Sequence, residues 1–483
     1  MGFHTADLPS RGKAQTVAGE GVKQLGQEIR AEFPFDPEWR NLNHGTCCFH
    51  SSRWASLIGC LPGSFGTIPN YIMDRRRHYQ DLYEARPDPF IRNDLPRLND
   101  ESRAAVADLI NAPLETIVFV ANATEGVNTV LRNMVWNDDG KDIILSFGTI
   151  YDACARAEDF VTDVFPEKVD VVEIDLVYPL EDDEILAIFR SEVKRLEAAG
   201  KRARLALFDV VSSNPGLVFP WEAMVAACRA LGIISLVDGA QGIGMVPLDV
   251  AAADPDFFVT NCHKWLHVPR GCAVFHVPVR NQHLLPSTLA TARGYVPKHP
   301  GRGKRTQPLP DGDGKNHFVR NFEWVGTRDD SAYLCVKDAI AWRRDVLGGE
   351  ARIMAYLWDL NKRGIAAVAA ILGTSFLENK AGTLTDCAMA NVALPIWVGE
   401  KGREQAAPGD TVLATGEEAN EAFNWMQGTL VDEYKTFMAV YYRWDRFWVR
   451  ISAQVYLDLG DYEWAGRTLK VLCERVAKGE FRK

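Results

Sequence analysis

The chain has 483 residues, of which 47% are hydrophobic and 24% charged, with ten cysteines and a formal net charge of −10. Single cores stop growing near about 250–300 residues, so two domains are expected. The acidic balance, without any Lys/Arg-rich block, argues against nucleic acid or an anionic membrane surface as partner, and no apolar run reaches the roughly 18 residues of a membrane span.

Met1 to Arg30 is polar and mixed in charge, without the apolar centre of a secretory signal. The cysteines form no CxxC pair and no Cys/His cluster at zinc-ligand spacing, so no metal site is expected, and reduced thiols in a cytoplasmic protein are. Glu101 to Asn111 has the apolar spacing of an amphipathic helix. Short β-branched runs follow at Thr116–Val120, Asp142–Phe147, Asp170–Ile174, Arg204–Val210, Ile233–Val237 and Phe257–Thr260, with helical stretches such as Asp182–Ala199 and Trp221–Leu231 between them. This alternation predicts an α/β fold with a mainly parallel sheet flanked by helices, which binds ligands at the carboxyl ends of its strands. The Gly/Pro/Lys-rich stretch within Thr291–Asn321 reads as a solvated surface loop. After Asp330 come helices at Tyr333–Leu347 and Arg352–Ala370, then strands at Ala388–Leu394 and Phe447–Ser452. The expected division is an N-terminal segment 1–75, a large α/β domain 76–330 and a smaller C-terminal α+β domain 331–483.

Chemistry enters at the strand ends. Asp238 closes one predicted strand, and His263-Lys264 follows another, with the lysine 26 residues after the aspartate. Pyridoxal phosphate (PLP) chemistry needs both groups. A lysine amine joins the cofactor aldehyde and later moves the substrate's Cα proton, while a carboxylate keeps the pyridine nitrogen protonated. The competing reading of Gly239–Gly244 (GAQGIG) as a dinucleotide-binding turn has the wrong glycine spacing and leaves Lys264 without a role.

The segment SLVDGAQGIGMVPLDVAAADPDFFVTNCHKWLHVPRGCAVFHV resembles the class V aminotransferase family of PLP fold type I enzymes. The resemblance runs from about Asn41 to Ala477. ESRAAVADL, VFVANATEGVNTVLRN, NCHKWL, PRGCAVF and PVRNQHL are most like a fungal branch of C–S lyases that cleave hercynylcysteine sulfoxide in the ergothioneine pathway. It implies a homodimer acting on a small amino-acid substrate, with a mainly parallel seven-stranded sheet. Lys264 then matches the cofactor-binding lysine, Asp238 the pyridine partner and Gln241 the residue that bonds the phenolic oxygen. Ala123, Thr124, His263 and, from the partner subunit, Thr327 match phosphate ligands. Tyr151 matches a ring stacked on the cofactor, whose phenol could also protonate the leaving sulfur, with Cys154 nearby; Ser213 matches a pocket residue. Arg450 matches the clamp on the substrate carboxylate, for which a planar guanidinium is the natural receptor.

One departure stands out. Related chains carry an unbroken LNHGSFGTIP, whereas here Leu42-Asn43-His44-Gly45 is separated from Ser64-Phe65-Gly66 by Thr46–Gly63, which holds three of the ten cysteines. Joining the flanks restores the pattern, as expected of a retained intron, with a genuine surface insertion as the alternative. The interrupted segment belongs at the substrate entrance, which puts Asn43 and Ser64 on the substrate. The alternatives left open are another class V activity (cysteine desulfurase, epimerase-like or alkaloid-forming) and a catalytically dead binding protein.

Overall fold

The computed structural model describes residues 21–44, 66–286, 289–291, 295 and 314–482. The Thr46–Gly63 stretch, Ser64 and most of the Gly/Pro/Lys-rich loop lie outside the described residues.

In chain order the strands are β1 (Arg40–Asn41), β2 (Ile117–Val120), β3 (Asp142–Phe147), β4 (Val169–Ile174), β5 (Arg202–Asp209), β6 (Ile234–Asp238), β7 (Phe257–Asn261), β8 (Ala273–His276), β9 (Met389–Val398), β10 (Thr411–Leu413), β11 (Thr436–Phe437), β12 (Ala439–Arg443) and β13 (Arg446–Ser452). Seven of them form the main sheet in the order β2-β8-β7-β6-β5-β3-β4. It is parallel from β7 to β4, and β8 runs antiparallel between β2 and β7. Both faces are covered, as a parallel sheet requires. Along β5, Ala206 and Phe208 enter one core, and Leu205 and Leu207 the other.

The helices Ala123–Asn133, Asp152–Val164, Asp182–Ala198 and Trp221–Leu231 supply the crossovers. Their starts follow from local chemistry: Asn122 caps the first by accepting from the Glu125 amide at 2.9 Å, and Glu181 with Glu184 forms a capping box. The second sheet, in the order β10-β9-β13-β12, is mainly antiparallel and packs with the helices Glu350–Leu372 and Leu459–Ala477. One continuous core runs from the large sheet into this C-terminal sheet through residues such as Phe208, Leu217, Met389 and Ile451. Among the described residues no helix is long and apolar enough to cross a membrane.

Candidate active site

β7 ends at Asn261, and a single helical turn, Cys262–Trp265, carries His263 and Lys264. Lys264 is buried, and its backbone is held from several sides. His44 Nε2 lies 2.5 Å from the Lys264 carbonyl oxygen, and Arg343 Nη1 donates to the Trp265 carbonyl at 2.7 Å. Arg343 is itself fixed by Glu350 through two contacts of 2.6 Å. Gly66, with φ of +70°, lies against the same turn: a Cβ there would fall 2.0 Å from the His263 carbonyl oxygen. Only glycine can approach that closely.

Asp238 sits buried at the end of β6. Its Oδ1 accepts from the Ala240 amide at 2.9 Å and its Oδ2 from Cys154 Sγ at 3.3 Å. Burial pushes the Asp238 carboxyl up, while the Ala240 N–H, Lys264 and Cys154 pull it back toward the charged form. The turn after it is tied down by the Thr260 hydroxyl, which donates to the Gly239 carbonyl at 2.5 Å and accepts from the Ile243 amide at 3.1 Å. Gln241 is buried in this turn. Its Oε1 accepts from Trp265 Nε1 at 2.8 Å, and its Nε2 has no partner among the described residues. An orphaned buried amide donor beside the lysine turn calls for an acceptor.

Tyr151 stands at the start of the helix Asp152–Val164, with Lys264 Nζ 5.9 Å from its ring centroid. The structure therefore brings Lys264, Asp238, Gln241 and Tyr151 into one cluster. Cys154, one turn further along that helix, serves as a donor to Asp238. Burial and the neighbouring carboxylates push its thiol well above its usual value, so it stays protonated.

At the start of the helix Ala123–Asn133 the Ala123 amide donates to Asn261 Oδ1 at 2.8 Å, so Asn261 at the tip of β7 anchors this helix start. The Thr124 hydroxyl has no partner among the described residues and remains available at the same helix N-terminus. His263 is pushed down to about 4 by burial, with Lys264 adding to the effect, which favours the neutral ring. Thr327 lies exposed between the helices His317–Glu323 and Ser331–Asp345.

Arg450, on β13, is 1% exposed. Its Nη2 donates to Asn43 Oδ1 at 2.7 Å and its Nη1 to the Ser213 carbonyl. Ser213 thus meets the arginine through its main chain. Asn43 Nδ2 is buried without a partner among the described residues, adding an unused donor beside the guanidinium. Asn391, in register with Arg450 on β9, grips Gly216 from both sides, with Gly216 N–H to Oδ1 at 3.0 Å and Nδ2 to the Gly216 carbonyl at 2.9 Å. Arg443 ties the same loop to the one before Tyr151, donating to the Asn214 carbonyl at 3.3 Å and the Gly148 carbonyl at 3.1 Å. Sequence reasoning missed Asn391, Arg443 and Arg343, and it gave His44 no role of its own. Each acts across long sequence separations and carries no local motif. Only the buried polar residue inside an apolar strand run, as at Asn391, was there to be noticed.

The donor set fits PLP. The buried Lys264 amine would receive the cofactor aldehyde, the Asp238 carboxyl would face a pyridine nitrogen, and the orphaned Gln241 amide would face a phenolic oxygen. A family model described as aminotransferase class V matches residues 68–292. The chain is similar over 470 residues, at 32% identity, to the L-cysteine desulfhydrase-like protein lolT1 of Epichloe uncinata, covering 95% of this chain and 98% of that one. It is 29% identical over 451 residues to the hercynylcysteine sulfoxide lyase of Schizosaccharomyces pombe, covering 93% and 98%. Among solved structures, C-DES with glycine covalently linked to its PLP cofactor superposes with a TM-score of 0.68 at 17% identity, covering 91% of this chain and 98% of that one. The chain belongs to the class V aminotransferase family, and its cofactor is pyridoxal phosphate.

Proposed function

We propose that this chain is a PLP-dependent C–S lyase that cleaves hercynylcysteine sulfoxide by β-elimination in ergothioneine biosynthesis, releasing a sulfenate, pyruvate and ammonia. The observation that carries the lyase reading is the Lys264/Asp238/Gln241 cluster, joined through the adjacent Asn43 and His44 to the Arg450 clamp. The substrate rests on the likeness to the S. pombe enzyme.

When bound, PLP supplies an electron sink for the charge left at the substrate's Cα. Asp238, supported by two donors, holds the proton on the pyridine nitrogen. Gln241 Nε2 donates to the phenolic oxygen, and Thr124 with His263 holds the phosphate. Arg450 and Asn43 bind the substrate carboxylate and so orient Cα toward Lys264. Lys264 Nζ removes the Cα proton, and the Tyr151 phenol delivers a proton to the departing sulfur group.

A cysteine desulfurase would need an accessible thiolate. In the C-terminal part Cys335, Cys387 and Cys473 are all buried, and burial pushes each thiol up, Cys387 and Cys473 to about 12. The exposed Thr327 suits a ligand given to a partner's phosphate, and a cytoplasmic homodimer completes the reading.

Purified, PLP-loaded protein should be incubated with hercynylcysteine sulfoxide and a thiol reductant, with pyruvate and ergothioneine scored. Both products should appear in equal amounts. Pyruvate from free cysteine, with none from the sulfoxide, would replace this reading with a desulfhydrase.

A further inference from the structure

Asp209 ends β5, and Asp238 ends β6, its parallel neighbour; the two are direct register partners, so their side chains rise from the same face of the sheet. Both are buried, Asp209 at 8% exposed and Asp238 at 4%. Two ionised carboxylates side by side in a low-dielectric pocket repel strongly, and such pairs keep one proton between them.

Their surroundings differ. Asp238 accepts from the Ala240 N–H and from Cys154 Sγ, and both donors favour its charged form. Asp209 accepts no hydrogen bond and makes no ion pair among the described residues. The ionisable groups facing it are Asp238 from β6, Lys264 from the turn after β7, Cys154 from the helix Asp152–Val164, and Tyr178 from the segment after β4. Tyr178 is in turn approached by Arg443 from β12. The Tyr178 hydroxyl is buried and makes no bond to Asp209 or to any other described residue.

We propose that Asp209 is a positioning residue that holds the one proton of this carboxylate pair, so that the pair's single negative charge stays on Asp238, opposite the cofactor's pyridine nitrogen. The inference rests on the reading of Asp238 as the pyridine partner. A pair whose environments push its members apart divides into an acid and a base in this way. Burial and the Asp238 charge push the Asp209 carboxyl well up, in the direction this division requires. Ionising Asp209 would add a second negative charge beside the ring and make its nitrogen harder to deprotonate.

Infrared difference spectra of the cofactor-free protein at neutral pH test the proton directly. A protonated-carboxyl band should be lost in Asp209→Asn; Glu158→Gln marks the separate band of another buried acid, whose carboxyl burial pushes up to about 8. In the PLP-loaded enzyme, the alkaline step in cofactor absorbance should be shifted or lost in Asp209→Asn. Asp209→Ala should weaken cofactor retention more than Asp209→Asn, because the neutral amide replaces a neutral acid. If the band survives in Asp209→Asn and is lost in Asp238→Asn, the proton sits on Asp238 and the proposal is overturned. An Asn variant as damaging as Ala would overturn it too, since a charge would then have been removed. Failure of the underlying reading looks different: Asp238→Asn would leave the cofactor spectrum and its pH dependence unchanged, whatever Asp209 does.

Discussion

His44 Nε2 and the main-chain oxygen of Lys264, 220 residues apart in sequence, lie 2.5 Å from each other. A carbonyl accepts, so Nε2 carries the proton and Nδ1 accepts from the Tyr456 hydroxyl, 3.0 Å away. Tyr456 in turn accepts from Asn41 Nδ2 at 2.5 Å. The Lys264 main chain is therefore held by a largely buried chain of hydrogen bonds that starts in the segment ahead of the large sheet.

His44→Ala should lower stability by about 1–3 kcal/mol, the cost of leaving a buried carbonyl and hydroxyl unsatisfied, as read by urea unfolding. Burial pushes His44 down to about 4, and His263 and His276 shift the same way. Such groups bind protons in the unfolded chain first, so their contribution is whole above pH 6.5 and lost as pH falls toward 4. The cofactor-free protein should weaken between pH 7 and pH 5, and His44→Ala should flatten that slope. An unchanged slope would remove His44 from the cause.

Lys264→Ala should abolish borohydride-stable attachment of the cofactor together with turnover. Covalent trapping that persists in this variant would assign the attachment to another amine.

Asp238→Asn should retain PLP and lower turnover by roughly 10²–10³-fold, the usual cost of removing one preorganised electrostatic stabiliser. Single-turnover kinetics on cofactor-loaded protein supply the measurement, and near-normal rates would refute the pyridine role.

Arg450→Lys should raise KM by about 10- to 100-fold while leaving PLP affinity near its starting value, because one ammonium cannot replace a planar fork between Asn43 and Ser213. If PLP affinity falls instead, the guanidinium is bracing the fold.

Removing Thr46–Gly63 should raise soluble yield and activity. The described flanks converge, since His44 and Gly66 both lie against the His263–Lys264 turn. After deletion three residues, Gly45, Ser64 and Phe65, remain to join them, and three extended residues reach roughly 10 Å. A deletion variant less active than the full chain would show that the segment contributes to the site, and mature transcripts that mostly retain it would show that it is genuine.

Much of this protein was legible along the chain, because its elements are set by local periodicity. The β3 strand Asp142–Phe147 and the helix Trp221–Leu231 appear with the bounds their apolar pattern predicts, and the chemical residues follow strand ends as a parallel sheet dictates. The four-residue β8 and the strands β10 and β12 were not legible, since runs so short carry little periodicity and gain their pairing from neighbours already in place. The same limit applies within the site. Lys264, Asp238 and Gln241 stand in one contiguous motif and could be read from spacing and resemblance. The roles of His44, Cys154, Asp209, Asn391 and Arg443 depend on buried hydrogen bonds or on facing charges between distant segments. Burial strengthens those interactions by removing water, and only the tertiary structure decides which polar groups are buried together.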